Sequence, residues 1–189
     1  MEEIPLTFQT VEHYLSFFGY PLLEETRCEL ASSMEIIHKS PFAEISSFRK
    51  NKGNKEILYD VTVDSWKNRC SERGKEPYRT LPGDLILLAN GRPESIFDLQ
   101  RRTWVFALVS KIPDKDIEDD STSKYFEVKA SQDIEFQDGM FVVFLMNITT
   151  HKRIWNSLHM NGNSSIIKEV LNSDSMVRNE LKLPSLLTC

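Results

Sequence analysis

The stretch Tyr78-Arg79-Thr80-Leu81-Pro82-Gly83-Asp84, continuing into Leu85-Ile86-Leu87-Leu88-Ala89, decides the fold. Pro82 presets the backbone for a turn and Gly83 relaxes it, so the chain reverses there and feeds an apolar strand. Gly83 is a lone turn glycine, not part of a phosphate-cradling loop. The centre of the chain therefore reads as β structure built for shape and contact.

Working outward, the same period-two signal recurs. Ile57, Tyr59, Val61 and Val63 alternate with Leu58, Asp60 and Thr62, the pattern of a half-buried strand with one wet face. Phe42 to Phe48 reads as its hairpin partner across the polar, glycine-bearing tip Lys50-Asn51-Lys52-Gly53-Asn54-Lys55. Further strands are expected at Leu85 to Asn90, Trp104 to Ile112, Tyr125 to Ala130 and Phe141 to Ile148. Trp104 to Ile112 is apolar on both faces, which marks a central strand or one covered by a helix. Six short strands separated by turn signals point to a small barrel or a strongly curled sheet, an arrangement that removes exposed edges.

Helical signals flank this centre. Thr10 caps a short helix from Val11, and Pro21 followed by Glu24 and Glu25 opens a second, with Leu23, Leu30, Met34 and Ile37 on one stripe. That second helix should stop before Pro41. Beyond the strands, Thr149 or Thr150 caps a helix around Lys152 to His159, and another helical piece covers Ser165 to Leu171. The expected class is α+β: a six-stranded antiparallel β-barrel or curled sheet flanked by amino- and carboxy-terminal helices. Its expected parts are helices over 1–40, a β-barrel over 41–148, a returning helical segment over 149–173 and a flexible tail over 174–189.

The 189 residues are 40% hydrophobic and 27% charged, an ordinary globular composition. Net charge is −5, which argues against a whole-surface nucleic-acid binder. Cys28, Cys70 and Cys189 are widely spaced, without the pairing of a disulfide framework or zinc site. Glu2-Glu3 stands where a secretory segment needs positive charge, and no apolar run is long enough to span a bilayer. A nuclear or cytoplasmic location and no membrane partner are expected. On that reading Asn147-Ile148-Thr149 and Asn163-Ser164-Ser165 are chance matches to the glycosylation pattern.

Charge is unevenly placed. Residues 49–111 carry 13 Lys and Arg against 8 Asp and Glu, a balance of +5, while the remainder carries 10 against 20. Lys67, Arg69, Arg73, Lys75 and Arg79 run with Trp66 and Tyr78 among them, and Arg101 and Arg102 precede Trp104. Cations that can meet phosphates beside aromatics that can stack on bases are what a single-strand groove needs. The plainer alternative is a solvated loop whose aromatics pack the barrel, and Glu72 and Glu76 would repel a phosphate chain.

Catalytic patterns are missing. Gly74-Lys75-Glu76 has a carboxylate where a phosphate-binding loop needs Ser or Thr, and it lacks the upstream glycine. Asp119-Asp120 follows a hydrophilic run, not a buried strand. His13, His38, His151 and His159 do not share the i, i+4 spacing of two metal ligands, and no serine sits in a nucleophile elbow. Neither a cofactor, a metal site nor an enzymatic activity is motivated by these residues.

Several strings are more specific: Tyr20-Pro21-Leu22-Leu23-Glu24-Glu25-Thr26-Arg27, Ser33-Met34-Glu35-Ile36-Ile37, Arg73-Gly74-Lys75-Glu76-Pro77-Tyr78, Thr80-Leu81-Pro82-Gly83-Asp84, and Asn147-Ile148-Thr149-Thr150 with Lys152-Arg153-Ile154-Trp155-Asn156. In order and wording they resemble the amino-terminal region of plant superfamily 1 helicases of the senataxin-like group, over about residues 4 to 173. In related up-frameshift helicases a small β-barrel on a helical stalk lies against the nucleic-acid channel. The resemblance thus implies that the helices before Pro41 and after Thr149 form a stalk-like support for a barrel made by the strands between them, an accessory domain that positions or contacts single-stranded RNA or DNA beside a motor. The sequence ends at Cys189, before the ATP-binding loop such a helicase carries, so helicase activity is not expected of this polypeptide. The competing expectation is a protein-interaction module docking on a helicase motor or another partner, with the basic residues as a solvated rim.

Overall fold

In the computed structural model of the chain, Pro82 and Gly83 make the expected reversal, with Gly83 at φ +88°. A Cβ on Gly83 would lie 2.1 Å from the Thr149 hydroxyl oxygen, so both conformation and close approach require glycine here. The structure describes residues 8–51, 57–67, 78–113, 124–135, 137–159 and Ser165. The hairpin tip at 52–55, the basic connection at 68–77, the acidic loop at 114–120, the second helical piece beyond Ser165 and the tail lie outside the described residues.

Six strands follow in chain order: β1 (Phe42–Lys50), β2 (Leu58–Val63), β3 (Asp84–Asn90), β4 (Trp104–Lys111), β5 (Tyr125–Ala130) and β6 (Met140–Asn147). They close into a barrel in the order β1-β2-β5-β4-β3-β6, each pair of neighbours antiparallel. Register shifts at Ile45/Ser47, Leu85/Ile86 and Val109/Lys111 bend the strands, as closure of so small a sheet demands. The seam between β1 and β6 is short, joining Phe42, Ala43 and Glu44 to Val143, Val142 and Phe141.

Alternation along the strands separates two cores. Inward positions, among them Ile45, Tyr59, Val61, Ile86, Leu88, Val105, Val109, Phe126, Val128 and Val142, fill the barrel. Outward positions of β3 and β6, including Leu87, Ala89, Val143 and Leu145, form a second cluster with Met34 and Ile37. Trp104 and Phe106, on the outer face of β4, pack against that cluster. The apolar outer face of β4 is thus covered, as its two-faced sequence predicts.

The amino-terminal helices differ from expectation. A single helix, α1, runs from Val11 to Glu35 with Pro21 inside it. Thr10 caps it as expected, its hydroxyl accepting the His13 N–H at 3.1 Å. Pro21 has no N–H to donate to the preceding turn, yet the helix continues, because the loss of one bond does not outweigh the turns on either side. A 3-10 turn, Ile37–Lys39, then ends the segment before Pro41. Two other helices are described: α2 (Ile96–Leu99), unanticipated, and α3 (Thr149–His159).

The chain divides into two compact units, Met1–Glu25 with His151–Cys189, and Thr26–Thr150. In the first, Phe8 meets Tyr14 edge-on at 5.1 Å and Phe17 at 5.8 Å, while Trp155 stacks on His159 at 4.0 Å. The second holds the barrel and the carboxy-terminal turns of α1, whose Met34 is buried.

Candidate functional site

Strand direction defines two barrel ends: β1, β3 and β5 begin at one and finish at the other. At the first end, Asp84 organises the Pro82–Gly83 turn. Its side chain is 1% exposed and accepts hydrogen bonds from the Tyr78 hydroxyl, from Leu81 N–H at 2.7 Å and from Asn147 Nδ2 at 2.7 Å. Tyr78 meets Trp66 edge-on at 4.5 Å and Phe144 at 4.6 Å. Burial, and then the Asp84 hydrogen bond, push the Tyr78 phenol well above its ordinary value. Trp66 and Tyr78 therefore plug the barrel; of the two readings open for these aromatics, the packing one holds.

The cations at this end face outward. Lys67 is held by a backbone bridge to Phe42, its N–H donating at 2.8 Å and its carbonyl accepting at 3.1 Å, while its side chain is exposed. Arg79 is exposed just before the Asp84 turn, and Lys111 and Lys124 are exposed at the end of β4 and the start of β5. Glu44 and Asp64 are the exposed carboxylates beside the Lys67 segment.

At the opposite end Tyr59 closes the interior. Its hydroxyl donates to Asp133 and accepts the Ile134 N–H at 3.0 Å. Lys50 Nζ meets Asp133 Oδ2 at 2.5 Å. The Lys50 hydrogen bond first, then the Tyr59 hydroxyl, hold the Asp133 carboxyl below its ordinary value; burial, then the Asp133 bond, raise the Tyr59 phenol. The β3–β4 connection also lies here. Its α2 turn is fixed by a capping box in which Ser95 Oγ accepts the Asp98 N–H at 3.3 Å and Asp98 accepts Ser95 N–H at 3.1 Å. Arg102 Nη1 donates to the Asn90 carbonyl at 3.0 Å, passing over Gly91 at φ +75°, where a Cβ would sit 2.0 Å from that nitrogen.

Of the seven residues expected to meet phosphates, Lys67 and Arg79 stand at the first end, and Arg101 and Arg102, both exposed, at the second. Arg69, Arg73 and Lys75 lie outside the described residues, within the connection that leaves at Lys67 and returns at Tyr78. Seven residues of β3 at about 3.3 Å per residue put the two groups roughly 20 Å apart. That span exceeds the reach of a small ligand. Sequence reasoning passed over Lys111, Lys124 and Phe97; the last is 72% exposed on α2. The pattern Ser95-x-x-Asp98 was the available signal for that turn.

A cleft of about 240 Å³ between Asn90, Thr103, Asp133, Glu135 and Gln137 is smaller than the roughly 300–1,000 Å³ of typical small-molecule sites. Beside it, an open furrow is lined by Asn90, Asp98, Arg101, Arg102 and Thr103. Among the described residues, no group of three His, Cys, Asp or Glu is placed to hold a metal ion. No described helix is long and apolar enough to cross a membrane.

The Asn147-Ile148-Thr149 string has a structural use: Asn147 Nδ2 is committed to Asp84, and its Oδ1 accepts the Thr149 N–H at 3.0 Å. These bonds tie Thr149 to the Pro82–Gly83 turn, and the Thr149 hydroxyl adds a bond to the Pro82 carbonyl at 3.3 Å. No curated protein matches the sequence. A family match spans residues 1–178, taking in the whole barrel with its stapled turn and both flanking helices, and the chain belongs to that family, described as a domain of unknown function (DUF6469).

Proposed function

We propose that this chain is a non-catalytic accessory domain that holds single-stranded RNA or DNA beside a helicase motor, in the nucleus or cytoplasm. The observation that carries the reading is the outward display of cations at both ends of a barrel whose interior is filled. Lys67, Arg79, Arg101 and Arg102 are exposed, and Lys111 and Lys124 add to the first end. A packed barrel whose β3, β4 and β6 outer faces are covered offers its rims for contact, and cations about 20 Å apart suit a polyanion that reaches from one rim to the other. The resemblance of the stalk, turn and returning-helix strings to senataxin-like helicases supports the motor as the neighbour.

The test is binding of the chain to labelled single-stranded oligonucleotides across a salt series. Affinity should fall steeply with salt, and alanine at Lys67, Arg79, Arg101 or Arg102 should flatten the log–log slope by about 0.7 for each phosphate no longer neutralised. Absence of binding at low salt overturns the reading.

One observation favours the second reading, a protein-docking module. Tyr20 and Leu23, three positions apart on α1, are 73% and 52% exposed, whereas Met34 further along the helix is buried. Residues at i and i+3 share a helix face, so these two form an apolar contact point. A helicase motor domain that binds the chain and loses affinity for Tyr20→Ala would support docking. A chain that binds oligonucleotide but no motor would remove it.

A further inference from the structure

The β3–β4 connection carries a feature that the phosphate contacts do not use. Its α2 turn is anchored on one side by Leu99, 3% exposed, which packs into the outer core. The capping box fixes the start of the turn, and i to i+3 backbone bonds, Gln100 N–H to Phe97 O, Arg101 N–H to Asp98 O and Arg102 N–H to Leu99 O, each 3.2 Å, continue it through Arg102. With Leu99 facing inward on so short a turn, Phe97 faces outward. At 72% exposure it is the most exposed large apolar side chain among the described residues of the barrel unit. A single exposed ring is unremarkable by itself. Here the backbone that carries it is fixed by the capping box, and two exposed arginines follow within five residues.

The ring stands among charges of both signs: Glu94 pairs with Arg92 at 3.7 Å, and Glu135 is exposed at the same barrel end. The Asp98 carboxylate is committed to the backbone N–H groups of Glu94 at 2.8 Å and Ser95 at 3.1 Å, and Asp133 is committed to Lys50 and Tyr59. The Arg102 guanidinium spends Nη1 on the Asn90 carbonyl and keeps its other donors for the furrow it shares with Arg101 and Thr103. Of the aromatics of the basic connection, Trp66 is buried, and Tyr78 is half-buried with its ring packed on Trp66 and Phe144 and its hydroxyl on Asp84.

We propose that the β3–β4 turn is the base-reading element of the interface: Phe97 stacks on one unpaired base while Arg101 and Arg102 hold the phosphates flanking it. The inference rests on the nucleic-acid reading above and adds its substrate class, a strand with unpaired, accessible bases. Duplex hides the faces of its bases, so this site selects single strands. A protein partner covering Phe97 is the alternative that the experiment must separate.

The experiment is fluorescence anisotropy of the full chain with a short oligouridylate and with the same strand made abasic, at low and moderate salt. Phe97→Ala should weaken oligouridylate binding roughly 5- to 150-fold, the range for removal of one base–aromatic stack, with little change in salt slope. Phe97→Trp should retain affinity, and the abasic strand should bind wild type and Phe97→Ala alike. Because the ring is exposed, all variants should melt like wild type; the Trp variant guards against a folding defect in the Ala variant. Unchanged oligouridylate affinity in Phe97→Ala, or equal losses on intact and abasic strands, overturns the stacking role. If Arg101→Ala and Arg102→Ala still lower affinity and salt slope, the nucleic-acid reading survives that failure. If wild type binds neither strand at low salt, both fall together.

Discussion

Replacing Asp84 by Asn tests the organisation of the first barrel end. The carboxylate receives three donors: the Tyr78 hydroxyl and Leu81 N–H on Oδ2, and Asn147 Nδ2 on Oδ1. Asparagine keeps one acceptor and turns the other oxygen into a donor. The cheaper orientation places the new amino group at Oδ1, against the Asn147 amide. Asn147 can flip to meet it only by giving up the bond from Thr149 N–H. One charge-assisted hydrogen bond is removed, at about 1.5–3 kcal/mol, and two others fall to neutral strength, roughly half of what they were. Together Asp84→Asn should destabilise the chain by about 3–6 kcal/mol, a large share of a typical total of about 5–15 kcal/mol. Urea unfolding followed by tryptophan fluorescence reads this, since Trp66 packs on Tyr78. In a cycle with Tyr78→Phe the two changes should couple by about 0.5–3 kcal/mol. A loss below about 1 kcal/mol, or strict additivity, would refute the staple.

Three further outcomes follow from the same region and its surroundings. The phenols of Tyr78 and Tyr59 are raised in the fold, each by burial first, so their contribution is fully present below the unfolded value near 10 and is lost as pH climbs toward the folded values. Unfolding free energy should therefore decline above about pH 10, and Tyr78→Phe should make that decline shallower in alkaline urea titrations. Gly83→Ala should lower stability by about 1–3 kcal/mol from the positive φ alone, with an added loss from collision with the Thr149 hydroxyl; pairing it with Thr149→Ala should recover only the second part, as thermal melting would show. Met34→Ala, in the seal between α1 and the outer barrel face, should cost about 2–5 kcal/mol, read as a lower urea midpoint with an unchanged m-value.

The strands were legible because side-chain polarity follows what covers each face. Tyr59, Val61 and Val63 fill the barrel while Asp60 and Thr62 are half-buried outside it beside a buried Leu58, and Trp104 to Ile112 is apolar on both faces because α1 and α2 residues join the cluster outside it. Local rules misled at Pro21, where a proline that suits a helix's first turn also survives inside one already nucleated from Thr10. The four-residue α2 shows no periodicity, so only its capping box could reveal it. The candidate site was harder to read, because composition places aromatics among cations without saying which way the rings face. Tyr78 turns inward through Asp84, a partner six residues beyond it, and Trp66 packs edge-on against Tyr78, while Phe97 turns outward because Leu99 takes the inward place.

The short seam between β1 and β6 has a kinetic meaning. Its three residue pairs join strands about a hundred positions apart in sequence, the most distant pairing in the barrel, whereas β1–β2 and β3–β4 are local. The entropy of closing so long a loop is repaid only after the other strands are in place. Closure of this edge should therefore come late in folding, and in native-state exchange its amide hydrogens should be replaced before those of the long β3–β6 pairing.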